Sequence, residues 1–75
     1  MNITLGNETG VCFVNHDWQM QVEVFAAATR GYVVLTRAIK PDGTALAATG
    51  DQLERAPNYA TLREAVEGAM TIAGF

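Results

Sequence analysis

The stretch WQMQVEV, Trp18 to Val24, decides the fold. Trp18, Met20, Val22 and Val24 alternate with Gln19, Gln21 and Glu23. Successive side chains of a strand point to opposite faces, so period two marks a half-buried β-strand. The apolar run continues through Phe25 to Ala28, and TRG, Thr29 to Gly31, breaks it. YVVLTRAI, Tyr32 to Ile39, follows with the β-branched and aromatic residues that suit a pleated sheet.

Outward from these two strands lie turn signals. Asn15, His16 and Asp17 are three polar residues in a row and read as the turn before Trp18, with Asp17 placed to cap it. GNETG, Gly6 to Gly10, reads as a loop or wide hairpin turn between a strand at Asn2 to Leu5 and another at Val11 to Val14. KPDGT, Lys40 to Thr44, is the clearest turn. Pro41 presets φ for a type I turn, Asp42 follows, and Gly43 can take the left-handed conformation of a G1 bulge. ALAATG, Ala45 to Gly50, reads as a short returning strand, and DQLERAPN, Asp51 to Asn58, as a connector.

The last segment is helical. Thr61 and Glu64 have capping-box spacing, in which the threonine oxygen accepts from the N3 amide and the carboxylate from the N-cap amide. Leu62, Ala65, Val66, Ala69, Met70 and Ala73 make one apolar stripe, with Ile72 off it, and Gly74 suits the C′ position. Strands first and one helix last predict a single α+β domain over residues 1–75. A small antiparallel sheet of three to five strands forms a meander, and the C-terminal helix packs on one face. The strand Tyr32–Ile39 is apolar on both faces, so one helix leaves the other face to a partner, to a second copy or to the N-terminal strands.

Composition narrows the chemistry. A chain of 75 residues buries only about 60% of its unfolded surface, which leaves a thin core. The single cysteine excludes an internal disulfide, and one cysteine with one histidine falls short of the four N or S ligands of a structural zinc site. Cys12 and His16 are four apart, up to about 13 Å in extended chain. Cys12 therefore reads as a small buried hydrophobe and His16 as a solvated turn residue. Glu64 and Glu67 read as a cap and a solvated helix face. There is no P-loop and no nucleophile elbow. No catalytic, metal-binding or cofactor-binding residue is assigned. The net charge of −3, with five scattered basic residues, disfavours direct nucleic-acid binding. No stretch approaches the about 20 apolar residues of a membrane helix, and the N-terminus lacks a signal-peptide pattern. A cytoplasmic protein with a reduced thiol is expected.

YATLREAVEGA, Tyr59 to Ala69, resembles the T-x-x-E-A-x-x-x-A helix opening that follows a sheet in HicB-type antitoxins and in many small bacterial sheet-plus-helix proteins. The likeness covers 11 of 75 residues, and the strand that follows the helix there has no counterpart before Phe75, so the family is not assigned on it. In size, acidity and want of catalytic motifs the chain is similar to phage and mobile-element products, anti-CRISPR proteins among them. That likeness implies a non-enzymatic module that sterically blocks a host protein complex. Asp51, Glu54, Glu64 and Glu67 would meet a basic surface, and Tyr32 and Val34 would offer apolar contacts. The alternatives are an antitoxin-like or regulatory homodimer and a small protein centred on Cys12 and His16.

Overall fold

In the computed structural model, which describes residues 5–27 and 29–75, three strands come first: β1 (Leu5–Asn15), β2 (Met20–Ala27) and β3 (Gly31–Ala38). A short helix α1 (Gly50–Arg55), a two-residue strand β4 (Asn58–Tyr59) and the helix α2 (Leu62–Ala73) complete the chain. The sheet order is β1-β2-β3-β4 and every pairing is antiparallel. This is the expected meander with a C-terminal helix.

The alternation first seen in WQMQVEV separates the two faces. Register places Val22 between Phe13 and Thr36, and Val24 opposite Val34. Val22, Val24 and Val34 pack with Ala65, Ala69 and Ala73 of α2, and Val11, Phe13, Met20, Tyr32, Tyr59 and Ile72 close around them. Burying each valine fully stabilises the fold by roughly 1.5–3 kcal/mol. The small alanines at i, i+4 and i+8 let the helix lie close to the sheet. The buried face is thus narrower than the predicted stripe. Leu62 and Met70 lie at its exposed margins, while Ile72 packs inward.

Thr61 caps α2 as expected in one half only. Its hydroxyl oxygen accepts from the Glu64 N–H at 3.2 Å, but the Glu64 carboxylate accepts from that hydroxyl at 2.9 Å instead of reaching the N-cap amide. The reciprocal capping box occurs at α1, where Thr49 Oγ1 accepts from Gln52 N–H and Gln52 Oε1 accepts from Thr49 N–H.

Three other expectations are corrected. GNETG is no hairpin turn: it lies inside the continuous β1, whose register with β2 shifts between Leu5 and Glu8 and again between Glu8 and Cys12. Gly10, at φ +80°, supplies the left-handed residue of that irregular stretch, and Thr9 Oγ1 donates to Val24 O at 2.8 Å. Of the strand expected at Asn2 to Leu5, all but Leu5 lies outside the described residues, as does Ala28. The β1–β2 turn extends through Gln19, at φ +51°, so β2 starts at Met20, not Trp18. ALAATG forms one bridge, Ala45 to Ile39, and no strand, because alanine packs too little to hold one. The KPDGT turn forms as predicted, with Gly43 N–H donating to Lys40 O and Lys40 N–H to Thr44 O.

The second sheet face is covered by the chain itself. Phe25, Val33 and Leu35 are buried there, outside the α2 cluster, as is Ala56 at the end of α1. The Arg30 guanidinium donates to the carbonyls of Leu53 and Ala56, both at 3.0 Å, and so ties the end of α1 to the β2–β3 turn. The segment read as a connector therefore folds into α1 and β4 and is tied to this end of the sheet. On the same face Glu23, 9% exposed, accepts from Arg37 and from Gln21 Nε2.

Candidate functional site

The end of the molecule where the β1–β2 turn meets the C-terminus of α2 gathers the chain's least buried aromatic residues. Asn15 organises it. Its Oδ1 accepts from Trp18 N–H at 3.0 Å, and its Nδ2 donates to Ala73 O at 2.8 Å. The first bond shapes the turn and the second satisfies a carbonyl of the last helical turn, which has no partner within the helix. Asn15, not Asp17, is thus the capping residue of this turn.

α2 stops at Gly74, at φ +84°, whose N–H donates to Thr71 O at 3.2 Å while Phe75 N–H donates to Met70 O at 2.9 Å. These are the two bonds that close a left-handed helix end. The Trp18 ring lies flush against Gly74: a Cβ there would stand 2.5 Å from Trp18 Cη2. Phe75 turns toward Phe13, with ring centroids 6.1 Å apart and planes at 44°. Trp18 is nevertheless 60% exposed and Phe75 65%, and Met70 is partly exposed on the same last turns of α2. Val14, Asn15, His16, Asp17, Gly74 and Phe75 line a shallow hollow of about 480 Å³ beside them.

The residues expected to make contacts are dispersed. Asp51 and Glu54 are exposed on α1, where Asp51 pairs with Arg55 at 3.3 Å. Glu64 and Glu67 are exposed on α2. Glu64 is engaged by the Thr61 hydroxyl, and Glu67 pairs with Arg63 at 3.5 Å. Tyr32 and Val34 lie on the sheet face beneath α2. Tyr32 is half-buried against that core, and Val34 is 1% exposed, so Val34 offers no surface contact in this fold. Their parity in β3 is that of Val22 and Val24 in β2, and the helix took this face.

Cys12 is exposed on β1, not buried as expected, because β1 is an edge strand. It stands opposite Glu23, whose carboxylate is committed to Arg37 and Gln21. His16 and Asp17 are exposed in the turn. Among the described residues no three His, Cys, Asp or Glu side chains converge to hold a metal ion. No helix among them is long and apolar enough to cross a membrane.

The sequence signal for the Trp18–Phe75 end was present as residue types. Trp and Phe are enriched in binding hot spots. Nothing local, however, links positions 57 residues apart. No family model matches the chain, and neither a characterised protein nor a solved structure matches it.

Proposed function

We propose that this chain is a non-enzymatic protein-binding module and that the Trp18–Phe75 end is its contact surface. The observation that carries this reading is the joint exposure of Trp18 and Phe75 on a preorganised support, fixed by Asn15 and Gly74. A large aromatic side chain held in place before binding loses little conformational entropy on contact, which favours affinity. Asp51, Glu54, Glu64 and Glu67, which lie away from this end, would steer a basic partner through the overall field more than hold it. Steric inhibition of a larger complex is one form of this reading, and a cytoplasmic setting fits the unpaired, exposed Cys12.

Site-specific photocrosslinking tests it. A photoreactive amino acid at position 18 or 75 should give one discrete protein adduct in native cells, and the same group at Arg63, on the exposed flank of α2, should not. Equal labelling from all three positions, or none, would remove the reading.

A second reading is a regulatory homodimer. β1 is 11 residues long, and its outer edge has no strand partner among the described residues. Such an edge is a template for pairing with another chain. Sedimentation equilibrium over a wide concentration range separates the two: a concentration-dependent dimer favours this reading, and a monomer throughout removes it.

A further inference from the structure

The outer edge of β3 is paired at both ends and, among the described residues, open in the middle. At one end Val34 N–H donates to Pro57 O at 2.9 Å, in line with the Tyr32–Tyr59 and Val33–Asn58 pairings of β4. At the other, Leu46 N–H donates to Ala38 O at 2.9 Å, beside the Ile39–Ala45 bridge. Outward-facing backbone groups recur at every second residue of a strand. Residues 34 and 38 face outward, so Thr36, midway, directs its N–H and C=O outward as well. Continuing the β4 register would place residue 55 opposite Thr36. That position belongs to α1, which leaves the edge at Ala56.

A cleft of about 370 Å³ opens at this point, lined by Leu35 and Thr36 on the strand side and by Gln52, Arg55, Ala56 and Pro57 on the other. Its size lies at the lower end of the range for built binding sites. Its chemistry is specific. One backbone donor and one backbone acceptor, at β spacing, sit beside Ala56 and Pro57, with Asp51, Gln52 and Arg55 at the rim.

We propose that this notch is a second binding site, which takes one extended peptide segment of a partner protein by adding a β-bridge at Thr36. The segments on either side already run antiparallel to β3, so an inserted residue completes one interrupted edge strand. A peptide group is the ligand whose acceptor and donor match the pair on Thr36, as in strand addition generally. The notch shares no residue with the Trp18–Phe75 end and does not depend on it.

The test has two parts. In the free protein, amide exchange at Thr36 should be at least tenfold faster than at Val34, whose N–H is bonded. Equal protection of Thr36 would mean the edge is already filled and would overturn the proposal. Then a displayed library of random heptapeptides is selected on the whole chain, and a recovered peptide is titrated into labelled protein. The expected result is a shift at Thr36, Gln52 and Arg55, slowed exchange at Thr36, and at least tenfold weaker binding when the bridging peptide amide is N-methylated. Thr36→Pro removes an outward-facing donor that bonds no strand among the described residues, the one kind of strand position that accepts proline. Binding should be lost there while the fold remains, and N-methylation serves as the test should that variant not fold. Recovery of no peptide, or of peptides that shift only Trp18, Gly74 and Phe75, would overturn the notch; the second result would leave the aromatic end standing as a contact surface.

Discussion

The side-chain amide of Asn15 donates to the main-chain carbonyl of Ala73 at 2.8 Å, joining residues 58 apart in sequence. Its oxygen at the same time accepts from Trp18 N–H. One side chain therefore fixes the β1–β2 turn and the end of α2 together. Asn15→Ala removes both bonds and should lower stability by about 1–3 kcal/mol, the range for two lost hydrogen bonds. Asn15→Asp keeps the acceptor but sets a carboxylate against the negative end of the helix dipole. That carboxyl would have a raised pKa in the folded state. Its destabilisation should be full above the raised folded value and fade as pH falls from there to the unfolded value. Paired urea titrations of both variants and the parent across the acid range check this. Asn15→Asp matching the parent at neutral pH would contradict the Ala73 contact.

Gly68 offers a test in which intrinsic propensity and packing have opposite signs. In a helix interior Gly→Ala ordinarily stabilises by about 1 kcal/mol. Here a Cβ at position 68 would run into the Tyr59 hydroxyl and Cζ. Overpacking of this kind costs about 1–3 kcal/mol, so Gly68→Ala should be net neutral to destabilising. Truncating Tyr59 to Ala should restore the stabilising sign of the Gly68→Ala step, a non-additivity that a double-mutant cycle reads directly. Gly68→Ala that stabilises the parent outright would show that Tyr59 yields freely.

How much of this architecture was legible depended on whether its signal was local. The strands declared themselves through alternation at Met20–Val24, and α2 through Thr61 and the alanine spacing. The turn at Lys40–Thr44 was carried by Pro41, Asp42 and Gly43. GNETG misled because turn-forming residues also build an irregular edge strand, and nothing in five residues tells the two apart. The Thr49–Gln52 cap was a readable signal before a helix too short to show periodicity. Which face of β3 would be buried was not readable. Val33 and Val34 are equally apolar and both are buried, and only the tertiary placement of α2 decides that Val34 is the one beneath the helix. The aromatic end was least legible of all, since Trp18 and Phe75 share one end only through the tertiary placement of α2 against the β1–β2 turn.

Glu23 and Arg37 form a pair at the sheet's second face, with side chains 11% and 24% exposed. Arg37→Met strands the Glu23 carboxylate with only Gln21 as partner. The loss should be about 2–4 kcal/mol, somewhat below that of a wholly buried pair because Arg37 reaches water. Adding Glu23→Leu should recover most of it, since an apolar side chain there can pack with Leu35 across the register. Chemical denaturation of the two single variants and the double variant measures the coupling. A double variant no more stable than Arg37→Met would mean that the site cannot repack.

Asp42 gives the fold a local acid sensitivity. Thr44 N–H donates to its Oδ1 at 2.8 Å, and that backbone bond, helped by the Thr44 side chain, holds the carboxyl below its usual value of 3.8. A carboxyl with a lowered folded pKa contributes stability above the unfolded value, and that contribution is lost as pH falls through the folded one. Asp42→Asn keeps an acceptor for the turn without the charge. The stability difference between parent and Asp42→Asn should therefore favour the parent at neutral pH and shrink below 3.8. A difference that stays flat across that range would show that the charge contributes nothing to the turn.

Gly74 links the stability of the helix end to the proposed contact surface. Its φ of +84° strains any residue with a Cβ, and Trp18 occupies the space that a Cβ would need. Gly74→Ala should therefore do two things at once. It should lower stability by about 1–2 kcal/mol through the left-handed backbone, and it should push the indole off the helix end. Trp18 is the only tryptophan, so its emission reports the second effect alone. A red shift in folded Gly74→Ala, absent in Asp42→Asn as a control for general destabilisation, is the expected outcome. If the Trp18–Phe75 end is the contact surface, crosslinking from position 75 should fall in the same variant, because the aromatic pair is no longer held in register. Unchanged emission together with unchanged crosslinking would show that Trp18 is not positioned by Gly74 and that the preorganisation argument fails.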